Sequence, residues 1–148
     1  MEKEIAPWSQ TKWLVLSSFF FLIPGIYAYL QEIYFSSFML VCTSVISANY
    51  WRKCTHSWRR EIDLFFAKVS FVYFLYHSFL YLKNPIYITT GYPLLIPLWY
   101  LYNQSGNLRD QKKDIWVMYH FVFHIILTYE EWMVIDSIVK TSRFVSSN

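Results

Sequence analysis

The chain has 148 residues, of which 55% are hydrophobic, 22% aromatic and only 16% charged, and its mean hydropathy is +0.24. A disordered chain needs low hydrophobicity and high net charge, and an ordinary soluble domain carries about 25% charged residues, so the first is excluded and the second disfavoured. Two Cys are too few for a disulfide scaffold, three Gly too few for a phosphate cradle or a collagen-like repeat, and a net charge of +3 too small to point to nucleic acid. What remains is an all-α, polytopic membrane bundle, with residues 1–148 as a single transmembrane domain.

A hydrocarbon core of about 30 Å needs roughly 20 apolar helical residues. The first predicted span, residues 13–30, holds no charge and contains Pro24-Gly25, where a kink is expected. Its mixed n-region (Glu2, Lys3, Glu4, Lys12) and long apolar run read as a retained anchor rather than a cleaved signal. The second span, 34–51, ends in the polar group Ser47 and Asn49, and the third, 64–82, carries one cation, Lys68. The fourth, 86–102, is interrupted by Pro93 and Pro97 and is followed by a polar insert, Asn103 to Asp114, with Ser105-Gly106-Asn107 as turn residues. The fifth, 116–138, meets Glu130 and Glu131 part-way along; it is either a full span or a shorter re-entrant helix.

Five spans place Lys3, Lys12, Arg52, Lys53, Arg59, Arg60, Arg109, Lys112 and Lys113 on one side, and only Lys83, Lys140 and Arg143 on the other. Cytoplasmic loops hold the excess of Lys and Arg, so the N-terminus is expected in the cytoplasm. The basic pairs Arg52-Lys53 and Arg59-Arg60 then face anionic lipid, and Trp13, Tyr34, Trp51, Trp116 and Trp132 fall near span boundaries as an interfacial belt requires. Membrane lipids are the expected partners. Cys42, inside a span, and Cys54, in a cytoplasmic loop, are expected as free thiols.

Polar groups inside a bilayer are costly and carry the functional candidates. His120 and His124 lie four helical residues apart, hence on one face about 6 Å from each other, a spacing that suits two ligands of one zinc ion. The alternative is a pair of histidines hydrogen-bonded within the bundle. Ser47, His56 and Asp63 approach the same leaflet from other parts of the chain, so His56 or Asp63 is available as a third ligand. Along the third span Asp63, Ser70, His77 and Tyr81 fall within about 40° on a helical wheel, either as the buried face of a bundle helix or as a solvated path. Glu131 stands some 16 Å beyond His120, where a second polar centre is expected.

Ser47 at the end of one span, Asp63 near the start of the next, and His120-x-x-x-His124 in the last resemble the pattern of the alkaline ceramidases and their relatives, the progestin/adipoQ receptors. In that superfamily of membrane hydrolases the serine is followed four residues later by His; here that position is Trp51. The likeness covers three short motifs and implies zinc-assisted hydrolysis of a lipid amide or ester. Zinc would be held by His120 and His124, with His56 in place of the missing ligand, Asp63 as general base and Ser47 as oxyanion-side donor. Three functions therefore stand open: a membrane protein of undetermined activity whose polar groups fix packing, a zinc-dependent lipid hydrolase, and a small transporter or channel using the third-span stripe and Glu130/Glu131.

Overall fold

Five helices run antiparallel to their chain neighbours in the computed structural model, which describes residues 4–146, with side chains through 143. They are α1 (Trp8–Leu30), α2 (Tyr34–Arg52), α3 (Trp58–Tyr81), α4 (Pro85–Asp110) and α5 (Trp116–Ser146). No strand forms among the described residues; a lone bridge joins Glu4 to Thr55. Lys3, counted above with the basic side, lies outside the described residues. By length and composition α1 and α3 are the described helices long and apolar enough to cross a membrane.

Local chemistry sets the helix ends. α1 tightens into a 3-10 turn at Phe19–Phe21. Pro24 lies just downstream; its missing N–H and its ring disrupt the bond to the carbonyl of Phe20, so the expected irregularity falls one turn before the proline. α1 closes on Glu32 at φ 63, with Ile33 N–H donating to the Ala28 carbonyl and Glu32 N–H to that of Tyr29. α4 closes in the same way on Lys112 at φ 56, through Lys113 to Leu108 and Lys112 to Arg109. This double bond pattern normally ends in glycine, because a Cβ disfavours the left-handed conformation. α4 starts with Pro85 behind Asn84, whose side chain accepts from the Ile86 N–H at 2.9 Å.

Two expectations are corrected. Asn103 to Asp110 is not a turn-bearing insert: α4 runs through Pro93, Pro97 and Ser105-Gly106-Asn107 and stops only at Asp110. α5 runs unbroken through Glu130 and Glu131, so the re-entrant form is replaced by a helix of 31 residues, about 46 Å at 1.5 Å per residue. Straight-chain Glu costs a helix little, and burial of its neighbours Met133, Val134 and Ile135 carries the element forward.

α1, α2 and α5 form the centre. Gly25 lets α1 approach α2 so closely that an added Cβ would lie 3.2 Å from the Cβ of Leu40. At one end Ala6, Leu14, Tyr50, Trp51, Cys54, Trp116 and Val117 form a core cluster. At the other end Ala28, Met39, Leu40, Phe74, Val134 and Ile135 form a second one with Ile138 and Val139. The first end is tied by Gln10 Nε2 to Asp114 (2.6 Å) and by Trp116 Nε1 to Gln10 (3.3 Å). The second is tied at Asp136, which accepts from Tyr87 (2.7 Å) and Tyr27 (3.3 Å) and pairs with Lys140 (2.6 Å). α3 and α4 flank this centre; α3 packs on α2 and α5 and α4 on α5, and the two meet near their linked ends, where the Phe79 and Tyr92 rings stack with centroids 5.7 Å apart, without packing along the rest of their length.

Candidate functional site

The divergence of α3 from α4 leaves a cavity of about 730 Å³. It is lined by α2, α5 and Phe21 as well, and Tyr50, Trp51 and Trp116 of the first core cluster form part of its wall. Ser47, Asp63, His120 and His124 all line it. Ser47 and Asp63 face each other across α2 and α3, with the serine hydroxyl near enough to favour the carboxylate. The His120 and His124 rings meet edge to face with centroids 4.8 Å apart.

Each imidazole is oriented by a serine that the sequence analysis did not single out. Ser17 Oγ of α1 lies 2.7 Å from His124 Nδ1, and Ser105 Oγ of α4 lies 3.2 Å from His120 Nδ1. Ser105 also donates to the Tyr102 carbonyl at 2.8 Å. A hydroxyl has one proton, so Ser105 accepts from His120 Nδ1–H and leaves the Nε2 of His120 with its lone pair. Ser17 lies in an apolar helix, but nothing in the sequence pairs it with His124. Ser105 was hidden because Ser105-Gly106-Asn107 reads as a turn.

The zinc expectation was tested against this geometry. Among the described residues no three His, Cys, Asp or Glu side chains gather where a metal ion could be held. His56, the expected substitute ligand, is exposed in the loop between α2 and α3 and does not line the cavity. Trp51, one turn after Ser47, fills the space beside the histidines, its ring 4.9 Å from that of His120 and 5.9 Å from Trp116. An indole cannot ligate zinc, and Asp63, which lines the same cavity, does not gather with the two imidazoles into a three-donor set among the described residues.

The third-span stripe divides. Asp63 and Ser70 line the cavity, whereas His77 Nδ1 lies 2.9 Å from the Tyr73 carbonyl and the ring stacks on Tyr81. The four residues of the stripe therefore do not all line one cavity. Glu131 is not a separate centre: it lines the deep end of the same cavity and also a smaller one of about 40 Å³ shared with Glu130 and Gly91. Three buried polar atoms of lining residues, Trp51 Nε1, Ser70 Oγ and Glu131 Oε2, have no hydrogen-bond partner. An unpaired buried group costs about 1–3 kcal/mol, so these three atoms are free to pair with an occupant of the cavity.

At the opposite, shallow end the lining turns basic, with Arg60, Arg109 and Lys68, and includes Asn103 and Asp110. Lys68 thus belongs to the cavity rather than to another face. Cys42 and Cys54 are free. Cys54, in the loop just outside this end, is buried, and its Sγ donates to the Tyr50 hydroxyl at 3.3 Å. Burial pushes its thiol pKa above the ordinary value.

No protein-family model, no curated protein and no solved structure matches the chain.

Proposed function

We propose that this is an integral membrane protein that crosses the bilayer five times, with its N-terminus in the cytoplasm, and holds a membrane lipid in the cavity between α3 and α4. The observation that carries this reading is an inverted distribution of polarity. Ile23, Phe38, Phe65, Ile96 and Met118, one from each helix, are exposed, while Ser17, Ser44, Ser47, His124 and Glu131 are buried. Water selects the opposite arrangement, and an exposed apolar surface spread over every helix suits hydrocarbon. Serine- and glycine-rich seams, as between α1 and α2, are how helices pack where lipid removes the hydrophobic drive. Inward serines lower the mean hydropathy of α2, prolines, threonines and tyrosines that of α4, and His120, His124, Glu130 and Glu131 that of α5, so α1 and α3 remain the most apolar of the described helices.

The end shared by the N-terminus, the α2–α3 loop and the α4–α5 loop holds Arg52, Lys53, Arg59, Arg109, Lys112 and Lys113, against Lys83, Lys140 and Arg143 at the other. That asymmetry supports the cytoplasmic assignment. The native Cys54 is too buried to report it, so exposed positions are used: in a Cys-free background, Lys83→Cys is expected to react with an impermeant maleimide on intact cells and Lys112→Cys only after permeabilisation. The reverse pattern would invert the topology, and labelling of both from outside would remove the five-span reading.

A zinc-dependent lipid amide or ester hydrolase is the second reading, favoured by the convergence of Ser47, Asp63, His120 and His124 on one cavity. About one zinc per purified chain, lost in the His120→Ala/His124→Ala variant, supports it; no zinc in the intact protein removes it.

A further inference from the structure

We infer that the lipid held in the cavity is a single-chain amphiphile with an anionic head, seated among Lys68, Arg60 and Arg109 with its chain in the gap between α3 and α4. This rests on the lipid-binding reading above and names the class of its ligand. Arg60 and Arg109 stand near the start of α3 and the end of α4, so both guanidinium groups mark the shallow end. Each touches the acid next to it in sequence, Glu61 at 3.3 Å and Asp110 at 3.4 Å. Those acids are 73% and 74% exposed, and such surface pairs are worth about 0–1 kcal/mol, so they yield readily to a bound anion.

Lys68 is the sharper signal. It lies ten residues into α3, about 15 Å along the axis, where an isolated cation in a bilayer costs about 2.5–3.5 kcal/mol. Among the described residues it forms no ion pair. A helical side chain leans toward the N-terminal end, so its stem carries the ammonium back toward Asp63 and the shallow end of the cavity. The carboxylate nearest in sequence, Asp63, is engaged by Ser47, and Glu131 lies at the deep end. Lys68 therefore lines the cavity without an ion-pair partner among the described residues, and its ammonium is available to an anion at this end.

The remaining wall fits the rest of the ligand. Trp51 Nε1 is a buried donor without an acceptor, and an anionic head supplies acceptors. Phe71, Leu95, Leu98 and Leu127 make an apolar track past it toward Glu131. Because α3 and α4 do not pack along each other beyond their linked ends, a chain on this track reaches the bilayer sideways. The volume of about 730 Å³ lies within the roughly 300–1,000 Å³ of small-ligand sites.

The test is equilibrium binding of four radiolabelled lipids to the full chain in nanodiscs: palmitate, palmitoyl lysophosphatidic acid, palmitoyl lysophosphatidylcholine and hexadecanol. Saturable binding of one palmitate or lysophosphatidic acid per chain is expected, at least about tenfold tighter than hexadecanol, and the tighter of the two anions tells carboxylate from phosphate. Lys68→Gln is expected to weaken the anions by about tenfold while Lys68→Arg keeps them. Arg109→Gln gives the same readout if Lys68→Gln does not accumulate. Equal affinity for hexadecanol overturns the anionic head but leaves the lipid-binding reading; failure of all four lipids to bind overturns both. Anion preference untouched by Lys68→Gln and by Arg109→Gln overturns the seat assigned to the head.

Discussion

Replacing Glu131 by leucine separates a side chain kept for stability from one kept for a ligand. Glu131 is 2% exposed, and its Oε2 has no hydrogen-bond partner. A buried polar group without a partner costs about 1–3 kcal/mol, and an apolar side chain of similar reach removes that cost without opening a large void. Leucine is also at least as good a helix former, so α5 is not penalised. Glu131→Leu should therefore stabilise the protein by about 1–3 kcal/mol, raising Tm by roughly 3–9 °C for a chain of this size. The assay is thermal unfolding in detergent followed by intrinsic fluorescence. Ser17→Ala serves as the control of opposite sign. It strips His124 Nδ1 of a partner at 2.7 Å, leaves a buried imidazole nitrogen unpaired, and should destabilise by about 1–3 kcal/mol. A fall in Tm for Glu131→Leu would refute the reasoning, because it would mean the carboxylate is held by a partner in the folded chain.

Three further outcomes are expected. Trp51→His places a third imidazole beside His120 and should let the chain hold about one zinc at lower free metal than the unaltered protein needs, read by metal analysis across a zinc titration; identical titrations would show that position 51 does not face a metal seat. Glu32→Gly and Lys112→Gly relieve left-handed conformations at the ends of α1 and α4 and should each raise stability by up to about 1 kcal/mol in the same thermal assay; a loss at both would refute the strain. Because burial raises the Cys54 thiol above its ordinary 9.0, the folded chain keeps a proton that the unfolded chain releases. Its contribution is full below about pH 9 and is lost as pH rises through the folded pKa. Cys54→Ala should thus show a shallower decline of Tm above pH 9, and identical profiles would contradict it.

Helices were legible in the sequence where hydropathy and punctuation agreed. α2, read as 34–51, is observed as Tyr34–Arg52, because a charged pair ends the apolar run. The agreement failed at Asn103 to Asp110, where turn-forming residue types outweighed an i, i+4 pattern carried by Leu98, Tyr102 and Ser105; Gly106 has open space around it and requires no turn. Helix starts were placed late in α1 and α3, since a span boundary marks the end of apolarity and not of hydrogen bonding. Periodicity brought His120 and His124 together, and helix direction brought Ser47 and Asp63 to the same end. The serines behind the imidazoles were beyond reach, because Ser17 and Ser105 meet His124 and His120 across helix pairs far apart in sequence. His56 shows the converse: shared depth does not imply a shared cavity when the loop turns the side chain outward.

α4 leans on the rest of the fold through α5 and through the Asp136 cluster at one end. Local opening follows the regions with the fewest buried residues, and α4, which buries Gly91, Leu98 and Ser105 along its 26 residues, has a low threshold for partial unfolding. It also sets the tempo of exchange. An occupant between α3 and α4 would have its residence time governed by the swing of this one helix about the Asn84-Pro85 joint, while α1, α2 and α5 stayed fixed.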